Sequence, residues 1–357
     1  MLDFEDHRKD PDRWARALGV SREAVEIYLA ADVIDLHIDT FIWTRIVGYD
    51  LALRHSEGLL GARFYGHADL PRLREARVTG GVWSITTNPL RWPSGRARLL
   101  QRNMEHLGGL LAAQPADVAV CRTAADYRAA RAADRHAAFL GVQGGNALDG
   151  AALDGGGPAW IGDLIKVTLV HLSNSSLGTT SAPGGRRDAP LTARGVDVVR
   201  ALDARRVFVD LAHINRRGFF DAVAAHDRSL PLLVSHTGVT GVTPHWRNVD
   251  DEQLRAVAAT GGVVGVMYQS SFLGDPLNHG RASSIVAHLD HIVRTVGEDV
   301  PALGSDWDGA ITTPRDLRTC LEMPRLVERM LACGWQAPRI HKALGGNFLR
   351  ALGALRG

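Results

Sequence analysis

The sequence predicts an α/β fold, a (β/α)8 TIM barrel, and three observations carry that prediction. Eight short apolar runs rich in strand formers recur along the chain, segments rich in Ala, Leu and Arg lie between them, and several runs end on a histidine or an acidic residue. Apolar strands alternating with helices indicate a parallel sheet covered on its outside, and eight such units close most simply into a barrel. A doubly wound open sheet is the alternative. It is expected to carry a phosphate-binding glycine loop between strand and helix, and the sequence has none in that context.

In chain order, residues 1–32 read as an N-terminal helical extension packed on the barrel, and 33–357 as a single catalytic barrel domain. Asp10-Pro11-Asp12 is a helix start, with Trp14, Leu18, Val25, Tyr28 and Leu29 as the apolar stripe of a helix over 10–30. The first strand, 33–38, leads into Asp39. A period of two puts Asp35, His37 and Asp39 on one face and Ile34, Leu36 and Ile38 on the other, with Asp35 expected to steady an imidazole from behind. Further strands are expected at 80–87, 137–142, 164–170, 206–212, 231–235, 262–268 and 301–305. Helices are expected at 94–112, 122–134, 193–204, 214–226, 250–260, 284–296 and 315–334. The Ser-, Thr-, Asn- and Gly-rich stretch from Leu172 to Pro190 reads as a long loop of the kind that walls a substrate site.

Bulk properties narrow the function. Of 357 residues, 45% are hydrophobic and 22% charged, a globular balance. The net charge of +2 argues against a nucleic-acid face or an acidic-membrane face. Three cysteines, Cys121, Cys320 and Cys333, are too few and too irregular for a disulfide framework or a cysteine-rich zinc site. No run approaches the roughly 20 apolar residues of a membrane helix, and the charged start lacks a signal core, so a soluble, cytoplasmic protein is expected. The 15 histidines stand out.

Active sites of such barrels lie at the C-terminal ends of the strands. The first run ends on His37 and Asp39, the run at 137–142 on Gln143, and the run at 164–170 on His171. The runs at 206–212, 231–235 and 301–305 lead to His213, His236 and Asp306. One such histidine is ordinarily structural; several on one rim make a set of metal ligands. Imidazoles and carboxylates suit Zn²⁺ and hydrolysis by an activated water, with Asp306 as proton shuttle and His171 beside the scissile carbonyl. Arg247 follows the 231–235 run and offers a fork for a substrate carboxylate, with Asn248 beside it as a further substrate contact. Lys166 sits within its strand and, counted back from His171, falls on the opposite face, which makes it a weak bridging ligand.

These blocks in this order, VIDLHIDT, DLPRLREARVTGGVWS, FLGVQGGNAL, VTLVHLSN, PLTARGVDVVR, VDLAH, SHTGV, WRNVDDEQL, HLDHIV, LGSDWDG and LGGNFLR, resemble the renal or membrane dipeptidase family of zinc peptidases, peptidase family M19, from about Val33 to Leu352. The resemblance implies a (β/α)8 barrel, two zinc ions, cleavage of dipeptides, in some members with a C-terminal D-residue, and often a homodimer. It implies His37 and Asp39 as ligands of one zinc, His213 and His236 as ligands of the other, His171 and Arg247 at the substrate, and Asp306 as acid/base. The chain departs from the family at Gln143, where the family's bridging glutamate is expected. A neutral amide between two dications weakens at least one of them, so one ion or none is a possible outcome, with reduced or altered hydrolysis. Two function classes follow. One is a working metallodipeptidase; the other is a diverged barrel acting as a non-hydrolytic biosynthetic enzyme or a binding protein for a small peptide-like ligand.

Overall fold

Eight parallel strands close on themselves, with helices packed outside. The computed structural model describes residues 1–57, 61–88, 92–276 and 279–357. The strands are β1 (Ile34–Ile38), β2 (Gly80–Thr86), β3 (Val118–Val120), β4 (His136–Gln143), β5 (Lys166–Thr168), β6 (Phe208–Asp210), β7 (Leu233–Thr237), β8 (Val263–Val266) and β9 (Pro301–Leu303). The order β1-β2-β4-β5-β6-β7-β8-β9 returns to β1 through the pairing of Asp35 with Leu303. The short β3 lies outside that ring of eight, paired with His136–Ala138 of β4, while β5 pairs with β4 further on, at Gly141–Gln143. It was not expected, because a run of three residues carries too little pattern.

The helices are α1 (Pro11–Leu18), α2 (Arg22–Ala30), α3 (Phe41–Val47), α4 (Leu70–Glu75), α5 (Pro93–Ala112), α6 (Ala124–Ala132), α7 (Ala193–Ala204), α8 (Arg216–Ala225), α9 (Asp251–Ala258), α10 (Ala282–Val296), α11 (Pro324–Ala332), α12 (Ala337–His341) and α13 (Asn347–Arg356). The single helix expected over 10–30 is two. Gly19 at φ 65° ends α1, and the Ser21 side chain caps α2. The helix expected over 315–334 starts only at Pro324, since proline fits the first turn of a helix and not its interior. The N-terminal helices lie against the barrel's outer layer: Ser21 donates to Glu328 through its backbone N and its hydroxyl, and Tyr28 donates to the Ala76 carbonyl.

The barrel interior is layered. Ile34 and Leu36 of β1, Val82, Phe139, Phe208, Leu233, Val263 and Ala302 from six further strands meet in one buried cluster. Only the inside of a barrel lets all of them touch. Phe348 of α13 closes the bottom, its ring centroid 5.8 Å from Phe139 and 5.9 Å from Phe208. Above this apolar floor lie Lys166, Asp210 and Ser235, all fully buried, and above them the histidines of the rim.

The expected alternation along β1 fails. Ile34 and Leu36 belong to the inner cluster and Ile38 to the outer one, and the register with β2 shifts between Asp35 and Ile38. The irregularity leaves amides for Asp35 to satisfy: its carboxylate accepts from the backbone N of His37 and of Ser305. Asp35 therefore steadies backbone and not an imidazole. Burial pushes its pKa up to about 6 against those hydrogen bonds. Among the described residues no helix is long and apolar enough to cross a membrane.

Candidate metal centre at the C-terminal rim

The strand ends bring the expected residues to one place. Asp306 and β1 are held side by side by two backbone bonds, Asp306 N to the His37 carbonyl and Asp39 N to the Trp307 carbonyl. His37 Nε2 then lies 3.4 Å from Asp39 Oδ2 and 3.7 Å from Asp306 Oδ1. The His37 ring stacks on His236 with centroids 3.9 Å apart, and His213 Nε2 lies 2.8 Å from His236 Nε2. The loop after β5 supports this side, Ser181 N donating to the His213 carbonyl at 2.7 Å, and the His171 ring stands edge-on to His213 at 4.8 Å. His213 and Asp306 have φ of 67° and 64°, left-handed values that an L side chain adopts at a cost and that cluster at functional sites.

Charge and burial shape what each group does. Burial and the neighbouring Asp39 carboxylate push Asp306 well above the usual carboxylate range, so it readily holds a proton. Burial brings the His171 imidazole down to about 4, which keeps the ring neutral. Arg247 is buried, its Nη2 donates to the His236 carbonyl at 2.8 Å, and its Nε has no partner. Asn248, expected at the substrate, has its amide committed elsewhere. It accepts from Gly238 N and donates to the carbonyls of Thr243 and Phe272, so it shapes the loop that presents Arg247.

Gln143 stands between the two halves. Its Nε2 is 3.2 Å from His213 Nε2 and 3.3 Å from His236 Nε2, and its Oε1 lies 3.0 Å from the Thr86 hydroxyl, whose one proton is shared between it and Asp39 Oδ1. Thr86 escaped the sequence reading, because a threonine ending an apolar run carries no signal. Lys166 corrects it: the side chain points into the barrel, with Nζ 2.9 Å from His37 Nδ1. The count back from His171 failed because β5 ends at Thr168, and the residues beyond it do not keep a strand's period.

The donor set fits a metal ion. His37 Nε2 is buried without a hydrogen-bond partner, two imidazole nitrogens face each other, and His37, His236 and Asp306 offer ligand atoms within 4.8 Å of one another. It fits an amide-bridged pair of ions poorly, since Gln143 is neutral where two dications would share an anionic ligand.

A closed parallel barrel carrying such a cluster at the C-terminal strand ends defines the class of metal-dependent hydrolases. The chain belongs to the membrane dipeptidase family, peptidase family M19, whose family model matches residues 21–356. Among solved structures it is similar to the dipeptidase AC, a metallopeptidase of family M19, at 26% identity and a TM-score of 0.79, covering 92% of this chain and 99% of that one. A metallopeptidase from Rhodobacter sphaeroides, liganded with a phosphinate mimic of the dipeptide L-Ala-D-Ala, is similar at 25% identity and a TM-score of 0.76, covering 91% and 99%. An uncharacterized Klebsiella pneumoniae protein from the pqqA 5' region is 31% identical over 274 residues, 73% of this chain and 97% of its own length.

Proposed function

We propose that this protein is a zinc-dependent dipeptidase, and the observation that carries the reading is the convergence of His213 and His236 Nε2 beside His37, Asp39 and Asp306 at the rim. Zinc would be held among His37, Asp39, His213 and His236, with the Gln143 amide adjoining; when bound, it supplies Lewis acidity and a water of lowered pKa. Arg247 binds the substrate's carboxylate from its buried position beside His236. His171, neutral, donates to or orients the scissile carbonyl. Asp306 takes the proton of the attacking water and delivers it to the departing amine as the C–N bond breaks.

The test is a panel of dipeptides, L-L and L-D pairs including L-Ala-D-Ala, offered to zinc-loaded protein with amino-acid release as the readout. Cleavage that a chelator stops, and that Asp306→Asn lowers at least about 100-fold with bound zinc unchanged, is the expected result. Zinc-loaded protein that cleaves none of the panel refutes the reading. The amide at Gln143 favours one second reading, a diverged barrel that binds a small peptide-like ligand without hydrolysing it. Binding of uncleaved dipeptide by the zinc-loaded protein would single it out.

A further inference from the structure

The buried layer beneath the centre meets the two stacked histidines with different partners, an ammonium at His37 Nδ1 and a hydroxyl at His236 Nδ1. Lys166 reaches this layer because Gly141 on β4 leaves room: a Cβ there would lie 2.8 Å from Val82 Cγ1 and 3.0 Å from Lys166 Cγ. Lys166 Nζ is 2.8 Å from Asp210 Oδ2, 2.9 Å from Thr168 Oγ1, 3.1 Å from Ser235 Oγ and 2.9 Å from His37 Nδ1. The hydroxyls of Thr168 and Ser235 both donate to Asp210 Oδ2, so the Thr168 lone pairs are left to accept from Lys166, whose three N–H groups meet its three nearest acceptors, Asp210, Thr168 and His37 Nδ1.

An ammonium has three N–H donors and no lone pair. It cannot accept from an imidazole N–H, so His37 Nδ1 is the acceptor. The ring proton of His37 then sits on Nε2, aimed at Asp39 and Asp306. His236 meets the opposite kind of partner. The single proton of Ser235 is used at Asp210, 2.6 Å away, so Ser235 Oγ accepts from His236 Nδ1 at 2.8 Å and the Nε2 lone pair faces the centre. A metal-bound histidine ordinarily donates its outer N–H to an acceptor, as His236 does here. His37 is inverted.

We propose that Lys166 is a positioning residue that withdraws His37 from metal ligation, so that the centre holds one ion at His213 and His236 while the His37 Nε2–H faces Asp39 and Asp306. The proposal rests on the reading that the centre binds a metal, and it narrows the ligand set given above. The neutral Gln143 acts in the same direction, because a second dication would find one anion fewer.

Two measurements test it. Long-range ¹H–¹⁵N correlation spectra of the metal-free protein labelled in histidine read each ring's tautomer. The expected pattern is Nε2–H at His37, assigned by its loss in His37→Asn, and Nδ1–H at His236; a proton on His37 Nδ1 overturns the proposal. Calorimetric zinc titration then counts ions, with one tight ion expected for the wild type. Gln143→Glu is compared with Gln143→Glu/Lys166→Met/Asp210→Asn, which removes the buried pair as a unit so that no lone charge is left inside. The second ion is expected to bind at least about tenfold tighter to the triple variant. Two tight ions in the wild type, or equal second-ion affinity in the two variants, overturns the proposal, and if the triple variant does not fold the wild-type spectrum decides alone. Neither readout involves turnover, so failure to cleave dipeptides counts against the proposed function and not against the tautomer assignment.

Discussion

Gln143→Glu should destabilise the metal-free protein and stabilise the zinc-loaded one, and both shifts follow from the Thr86 hydroxyl. That hydroxyl lies 2.9 Å from Asp39 Oδ1 and 3.0 Å from Gln143 Oε1, so the two acceptor oxygens are no more than about 6 Å apart. A carboxylate at 143 places a second buried anion at that separation from Asp39. At an effective dielectric of about 20 the repulsion is about 3 kcal/mol. The change also removes the amide nitrogen that lies 3.2 Å from His213 Nε2 and 3.3 Å from His236 Nε2. A dication between the same groups reverses the sign, because its attraction for the new carboxylate carries twice the charge product. A net gain of about 3 kcal/mol in the zinc-loaded state, set against a loss of about 3 kcal/mol in the metal-free one, corresponds to roughly four orders of magnitude in zinc affinity. Scanning calorimetry of wild type and variant, in chelator and in saturating zinc, reads both shifts. The melting temperature of the variant is expected to fall below wild type in chelator and to rise above it in zinc. A shift in the same direction under both conditions, or an equal zinc-induced shift in the two proteins, would refute the reasoning.

Arg247→Lys removes a planar fork whose charge is already buried, and a 10- to 100-fold loss in kcat/KM for dipeptides, carried mainly by KM, is expected from roughly 1.5–3 kcal/mol of charge-assisted hydrogen bonding. His226 titrates away from the centre: burial pushes its imidazole down, but the Asp203 carboxylate at 2.7 Å outweighs this and leaves the pKa raised above 6.5. Its stabilising contribution is therefore full below pH 6.5 and lost as the pH rises through the folded-state value, so the stability gap between wild type and His226→Gln in urea denaturation should narrow across that window; a gap that widens with pH contradicts the assignment. Phe348→Ala opens the barrel floor between Phe139 and Phe208 and should cost about 3–5 kcal/mol in denaturant titrations, with zinc binding at the opposite end retained.

Most of the rim was legible because each ligand-type residue stands directly after a strongly apolar run, where few other side chains could compete for the role. His37, Asp39, His213, His236 and Asp306 all gather as the strand ends require. What the sequence concealed lies where a strand stops being regular. Asp35 was assigned to an imidazole because the alternation was carried through a register shift, and Lys166 was turned outward because it was counted from a histidine three residues beyond its strand. Thr86, Asp210 and Ser235 are small polar groups on apolar strands. Nothing marks them until the barrel closes and each finds a partner contributed by a different strand. Helix ends were lost for a similar reason: 315–323 has a helical composition, but Pro324 sets the first turn.

The left-handed backbone at His213 and Asp306 has a consequence for how the chain can change. Glycine at either position would relieve up to about 1 kcal/mol of torsional cost, so folding alone favours losing the imidazole and the carboxylate. A lineage selected in the laboratory only for heat resistance should drift to glycine at these two sites early. One selected for turnover should hold them while accumulating compensating changes elsewhere, which makes 213 and 306 sensitive reporters of which pressure has acted on a variant.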